Sequence, residues 1–208
     1  HDYINPVVSI DVGSGATFVA TITKQQGNYP NVSAVYNQRQ VYAATDNAPM
    51  TLFGSRPGKL ADFSFSSIII PSDSYEHTID STDYSPLRQL VPVRGGMIAM
   101  NASGIWFLSG SQSGVITATD VQADPQSAEG ASALPSLKVG ADVFYTENAG
   151  GKVMQLAYND IIKLYAGLDL SLLANHLFTG GKRIKAWSYA HEPYKLVWAV
   201  RSDGTMLN

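Results

Sequence analysis

Cysteine is absent from the 208 residues. That excludes disulfide scaffolds, zinc ribbons, iron–sulfur sites and cysteine nucleophiles, and leaves the redox compartment open. Charge is scarce as well: Asp, Glu, Lys and Arg make up 15% of the chain, against roughly 25% in an ordinary globular protein. Lys and Arg number 14 against 17 acids, a net charge of −3, which argues against a module built to grip nucleic-acid phosphates. No apolar run approaches the roughly 18 residues that a membrane helix needs, and no basic stretch leads into an apolar one as in a signal peptide. The chain begins at His1 without Met and stops at Asn208 inside a strand-like pattern, so it reads as a fragment of a longer protein. What is present is 45% hydrophobic residues, 10% aromatic, with 11 Tyr and 18 Gly. Such a chain can build a core and carries too many aromatics for a disordered one.

The dominant pattern is β. Residues 7–22 are rich in Val, Ile, Thr and Phe and are broken by Gly13-Ser14-Gly15, which predicts two short strands and a glycine turn. A polar break with Gly27 and Pro30 follows. It divides the chain into 1–28, the end of a small β module, and 29–208. Within 29–208 a weak repeat recurs: a short strand, a turn, a second apolar strand, a turn at Asn, Gly or Asp, and a third strand. The copies run 32–53, 87–109, 137–156 and 184–208. Aligned on Val41, Met97, Val143 and Val197, they are spaced by 56, 46 and 54 residues.

Periods of this size point to an all-β, propeller-like array of small antiparallel sheets, here an incomplete propeller. Such sheets bury their faces only by stacking on neighbours. An all-β sandwich with regularly spaced hairpins is the alternative. Two insertions interrupt the repeat. Residues 64–85 read as a long solvated loop. Residues 157–181 read as a helical insertion, with a helix over 170–178 capped by Asp169, carrying Leu170, Leu173, Ala174 and Leu177 on one face and ended by Gly180-Gly181. His176 near that stripe reads as a packed or capping imidazole.

Motifs of chemistry are few. Of the four His (His1, His77, His176, His191), none pairs at helical zinc spacing; His191-Glu192 is followed at once by Pro193, a turn signal. Gly110-Ser111-Gln112-Ser113-Gly114 resembles a nucleophile elbow but puts Gln112 at the nucleophile position. Asp73, Asp80 and Asp83 lack the ligand spacing of a calcium loop and read as solvated loop charge. A glycosidase would need a carboxylate pair; Asp142, Glu147, Asp160 and Glu192 are available, and nothing in the sequence joins two of them. Lys182, Arg183 and Lys185 follow the predicted helix, where the dipole favours cations. No catalytic residue, cofactor site or metal site is assigned.

Two blocks carry a resemblance. The first runs Gln38-Arg39-Gln40-Val41-Tyr42-Ala43-Ala44-Thr45-Asp46-Asn47-Ala48-Pro49, then Ser55-Arg56-Pro57-Gly58 and Phe63. The second holds Tyr158, Tyr165, Asp169-Leu170-Ser171-Leu172-Leu173-Ala174-Asn175-His176-Leu177 and Gly180, then Glu192-Pro193, Trp198 and Arg201-Ser202-Asp203-Gly204-Thr205. Over 31–208 the chain resembles the tail nozzle, or tail-hub and packaged-DNA stabilisation, proteins of short-tailed bacteriophages and prophages. It departs at Gln40, where that family usually has an apolar residue, and in a longer insertion.

The resemblance implies a virion structural protein made in the bacterial cytoplasm, not an enzyme. It implies a ring of identical subunits below the portal and adaptor, contacts with other tail proteins, and transient passage of double-stranded DNA without sequence-specific binding. It implies no membrane insertion by this fragment. Family-motif positions are Gln38, Arg39, Asp169, Leu170, Ser171, His176, Trp198, Asp203 and Gly204. The rival expectation is a propeller or sandwich module of a tail protein that binds host-surface glycans through exposed Tyr and Trp.

Overall fold

The structure, a computed structural model, describes residues 7–11, 17–21, 29–111, 114–161 and 163–208. Among these residues the chain is nearly all β. The strands β1 (Val7–Asp11) and β2 (Thr17–Thr21) form an antiparallel hairpin, as the sequence predicts; its Gly13-Ser14-Gly15 turn, the boundary near Gly27, and His1, Gln112 and Ser113 lie outside the described residues.

Three four-stranded antiparallel meanders follow. Sheet 1 is β3 (Val32–Tyr36), β4 (Arg39–Ala43), β5 (Thr51–Gly54) and β6 (Tyr75–Thr78). Sheet 2 is β7 (Gln89–Val93), β8 (Gly96–Met100), β9 (Ile105–Ser109) and β10 (Gln122–Ser127). Sheet 3 is β11 (Leu137–Val139), β12 (Asp142–Thr146), β13 (Val153–Asn159) and β14 (Leu164–Asp169). Sheet 4 has three strands, β15 (Ile184–Ala190), β16 (Leu196–Arg201) and β17 (Met206–Leu207).

Each meander keeps its chain order in space. First strand lies near first strand (β3 with β7, β11 with β15) and last near last (β10 with β14). The array is open, an incomplete propeller-like arrangement, and each sheet buries its face against the next as stacked repeats must.

The core follows from the period-2 alternation of strand side chains. All five residues of β8 are buried. Met97 and Ala99 point to sheet 1, where they meet Val41, Leu52 and Tyr75. Ile98 and Met100 point to sheet 3, where they meet Val143, Tyr145 and Leu156. The β3–β4 turn uses Asn37 and Gln38, both at positive φ (49° and 60°), the pairing of a two-residue turn whose twist suits a hairpin. Gly54 sits opposite Tyr75 across the β5–β6 ladder, and a side chain there would run into the Tyr75 ring; glycine lets the ring lie flat over the strand.

Two expectations need correction. The segment 64–85 is not all solvated loop, because it contains β6, the fourth strand of sheet 1, and a buried Asp73. The segment 157–181 is not a helical insertion. It holds the end of β13, all of β14, and only a 3-10 helix over Leu172–Leu177 with a non-helical Ala174 inside. Asp169 does not cap that helix: Ser171 is the N-cap residue and its side chain makes no capping bond. Asp169 Oδ1 instead accepts from the Ser171 N–H (2.8 Å) and Oγ (2.7 Å), an Asx turn that ends the strand. Of the expected apolar stripe, Leu170, Ala174 and Leu177 line one groove, whereas Leu173 is 95% exposed, since the segment is a short, interrupted 3-10 turn and not an α-helix.

Candidate interaction surface

Three features stand out from the fold: a clasped loop, an apolar groove, and two uncovered sheet faces.

The clasp begins at Arg39 on β4, which is 3% exposed. Its Nη1 donates to the carbonyls of Ser55 (2.7 Å) and Asp73 (2.5 Å), and its Nη2 to that of Pro71 (2.7 Å). The guanidinium lies 5.7 Å from the centre of the Tyr75 ring, within cation–π reach. Burial pulls its pKa below the usual arginine value, with Tyr75 and Asp73 opposing. Asp73, one link further out, pairs with Arg56 and accepts from the N–H groups of Ile70 (3.0 Å) and Ser66 (3.2 Å) and from Ser66 Oγ (2.8 Å). These bonds, the Ile70 N–H first and then Ser66 and Arg56, hold its carboxyl at about 2 against burial, which pushes the other way. The clasp fixes the base of a loop whose tip displays Ile68, Ile69 and Ile70; Ile68 is 81% exposed.

The groove lies where sheet 4 meets sheet 3 and the 3-10 helix. It has a volume of about 320 Å³ and is lined by Phe144, Val153, Leu170, Leu177, Trp187 and Ala199, among others. Its edges are tied by polar contacts. Arg201 Nη1 donates to the Leu177 carbonyl at 2.7 Å, while its Nε and Nη2 grip Asp203 at 3.1 and 2.5 Å. Arg201 first, then the Thr205 N–H, bring Asp203 down to about 2. Trp187 Nε1 donates to the Pro135 carbonyl at 2.6 Å.

The uncovered faces follow from strand register. On sheet 1 the face away from the core carries Val35, Tyr42, Phe53 and Glu76, because Tyr42 opposes Phe53 and Phe53 opposes Glu76. Phe63 stacks on Tyr42 with ring centres 5.7 Å apart. With Pro30, Thr45 and Ala48 these rings surround a hollow of about 410 Å³. On sheet 4 the outward face carries Ala186, Ser188, Trp198, Val200 and Met206, of which Trp198 is 40% exposed. On sheet 1 the Phe63 ring lies over Tyr42, and Tyr42 and Phe53 are half-buried; on sheet 4 Trp198, Val200 and Met206 are exposed.

The family-motif positions scatter over these features. Gln38 is at the β3–β4 turn, where its carbonyl accepts from the Gly58 N–H at 2.8 Å. Arg39 forms the clasp. Leu170 lines the groove, Ser171 Oγ accepts from the Val153 N–H at 3.2 Å, and Asp203 and Gly204, with φ of 81°, form the turn that serves Arg201. His176 is exposed; it neither packs nor caps, and its carbonyl accepts from Thr179 Oγ1 at 3.0 Å.

The available carboxylates do not converge. Gln155 Nε2 donates to Asp142 at 2.7 Å, Glu147 pairs with Lys152, Asp160 pairs with Lys163, and Glu192 sits in the β15–β16 hairpin. No cluster of three or more His, Asp or Glu able to hold a metal occurs among the described residues. Sequence reasoning missed the clasp partner Asp73, whose signal was its place among small residues that leave N–H and hydroxyl donors free. No protein-family model matches the chain, and no curated protein matches it.

Proposed function

We propose that this chain is a structural part of a short-tailed phage tail, in the nozzle or hub ring through which DNA leaves the capsid. Its action is assembly. The observation that carries this reading is the pair of uncovered sheet faces, apolar at their centres, at the two ends of the stack. Charge-poor centres with aromatic residues suit subunit contacts. The exposed isoleucine tip adds a third apolar contact point on a fixed base. The net charge of −3 suits a wall that DNA passes without being held. Two family-motif positions support the reading by ordering loops: Arg39 fixes the loop that carries the isoleucine tip, and Asp203 holds Arg201 at the joint between sheets 3 and 4.

Immunogold electron microscopy tests it. Antibody to this chain, applied to phage particles induced from the source culture, is expected to label the tail beneath the capsid vertex. No label on particles whose denatured proteins are also negative defeats the proposal.

A glycan-binding reading is favoured by one feature, a cleft of about 480 Å³ lined by Asp80, Thr82, Asp83, Trp106, Gln126 and Ser127 among others. Hydroxyls, carboxylates and an indole edge suit sugar hydroxyls. Reproducible binding to one sugar on a glycan array, lost in Gln126→Ala, would move the assignment there.

A further inference from the structure

A hollow of about 420 Å³ lies between residues 132–135, the β12–β13 turn and the start of sheet 4, lined by Leu134, Pro135, Asn148, Gly150, Arg183 and Lys185 among others. Its volume falls in the range of small-molecule sites, roughly 300–1,000 Å³.

The acceptors in its wall are already engaged. Gln89 Nε2 donates to the carbonyls of Ser132 (2.8 Å) and Leu134 (2.6 Å), and Trp187 Nε1 to that of Pro135 (2.6 Å). Arg88 Nη1 donates to Asn148 Oδ1 at 2.5 Å, which leaves Asn148 Nδ2 as a donor. The cations are not engaged. Neither the Arg183 guanidinium nor the Lys185 ammonium has an ion-pair or hydrogen-bond partner among the described residues. The nearest acids in sequence are committed elsewhere, Glu147 to Lys152 and Asp203 to Arg201 and Lys182. The wall therefore holds unspent donors and few free acceptors.

Both cations are held in place by their backbone. The Arg183 N–H donates to Ser202 Oγ at 3.2 Å, and its carbonyl accepts from the Ser202 N–H at 2.7 Å. Its stem runs beside Gly150, where a Cβ would lie 3.1 Å from Arg183 Cδ. Lys185 is the residue that the β15–β16 register skips between Ile184 and Ala186, a position at which a bulge re-aims a side chain.

We propose that this hollow binds a phosphate monoester of a compact polar molecule: Arg183, Lys185 and Asn148 Nδ2 take the phosphoryl oxygens, and the organic group lies against Leu134 and Pro135. Two unpaired cations match a charge of about −1.5 to −2, which a phosphate monoester carries near neutral pH and a carboxylate does not. The guanidinium fork takes two oxygens at once, and the ammonium serves as a point charge for the third. The chain as a whole carries a net charge of −3, so attraction for an anion is local to the hollow. The site stands independently of the assembly reading.

Isothermal titration calorimetry of the 208-residue chain tests this with glucose-1-phosphate, adenosine monophosphate, inorganic phosphate and glucose. Saturable binding of at least one ester is expected, about tenfold tighter than inorganic phosphate or glucose. The tighter ester tells whether the organic group is a sugar or a nucleoside. Arg183→Met, which keeps the stem beside Gly150, and Lys185→Met are each expected to weaken that ester about tenfold. Lys59→Met on sheet 1, which removes the same charge from an exposed pair with Asp62, is expected to leave it unchanged. Circular dichroism of each variant confirms that the sheets persist, and the amide resonances that move on titration are expected within 132–135, 148–151 and 183–185. No binding at millimolar ester overturns the proposal, as do inorganic phosphate or glucose binding as tightly as the ester, and equal affinities in the three variants. Displacement of the ester by a short DNA duplex at equal phosphate concentration also overturns it, since that marks an open cationic surface and not a site.

Discussion

Sheets 1 to 3 and sheet 4 are built from similar hairpins, yet they are held differently. β8 is buried on both faces and locks its neighbours by interdigitating side chains, Met97 and Ala99 on one side, Ile98 and Met100 on the other. Where sheet 3 meets sheet 4, the facing residues leave a groove of about 320 Å³, and the 3-10 helix turns Leu172 and Leu173 to solvent instead of into it. There the joint relies on directional bonds: Arg201 to the Leu177 carbonyl and Trp187 to the Pro135 carbonyl. Close packing is graded by volume and shape, whereas a hydrogen-bonded joint fixes position with few contacts. One repeat can therefore be interlocked in its array and another merely pinned to it.

The contrast can be broken by mutation. Ile98→Ala, in the interlocked region, is expected to cost about 4 kcal/mol in denaturant unfolding, whereas Val197→Ala beside the groove costs about 1 kcal/mol or less. Equal costs would erase the distinction. Arg39→Met is expected to cost about 3 kcal/mol, because it strands three carbonyls that the guanidinium satisfies; limited proteolysis should then cut near Ile69 first. Ala174→Leu is expected to fill the groove and raise stability by about 1 kcal/mol, which a sheet 3–4 joint already packed to density could not accept.

The smallest effect sharpens the comparison by pH. Asp73 in sheet 1 and Asp203 in sheet 4 are both brought from 3.8 to about 2. A carboxyl lowered on folding stabilises the native state above its unfolded value, and that contribution is lost as the pH falls from 3.8 through about 2. Stability is expected to decline over that interval. Asp73→Asn and Asp203→Asn should each flatten the decline, and hydrogen exchange should place the first effect in the clasped loop and the second at the β16–β17 turn.

The sequence made the array legible where a copy of the repeat opens: the copies predicted to start at Val32, Leu137 and Ile184 begin with β3, β11 and β15, each opened by an apolar residue after a turn. The fourth strands were illegible. β6 reads Tyr-Glu-His-Thr and β10 reads Gln-Ala-Asp-Pro-Gln-Ser; an outer strand is solvated on one edge and carries polar residues and proline that mark loops elsewhere. β14 failed for another reason: Leu164, Ala166 and Leu168 face solvent while Tyr165 faces in, an inverted alternation with the apolar side outward that merges in the sequence with the expected helical insertion. The uncovered faces could not be read at all, since exposed and buried aromatics look alike until register assigns them a side.

The clasp beneath the isoleucine tip has a mechanical meaning. A loop tied only at its ends is a tether, and force on its tip is spent in uncoiling backbone. This loop is bonded at Pro71 and Asp73 to a guanidinium rooted in the second strand of its sheet. A push on Ile69 is therefore delivered to β4 and, through Val41 and Met97, into the neighbouring sheet. The tip acts as the short arm of a lever whose fulcrum is Arg39.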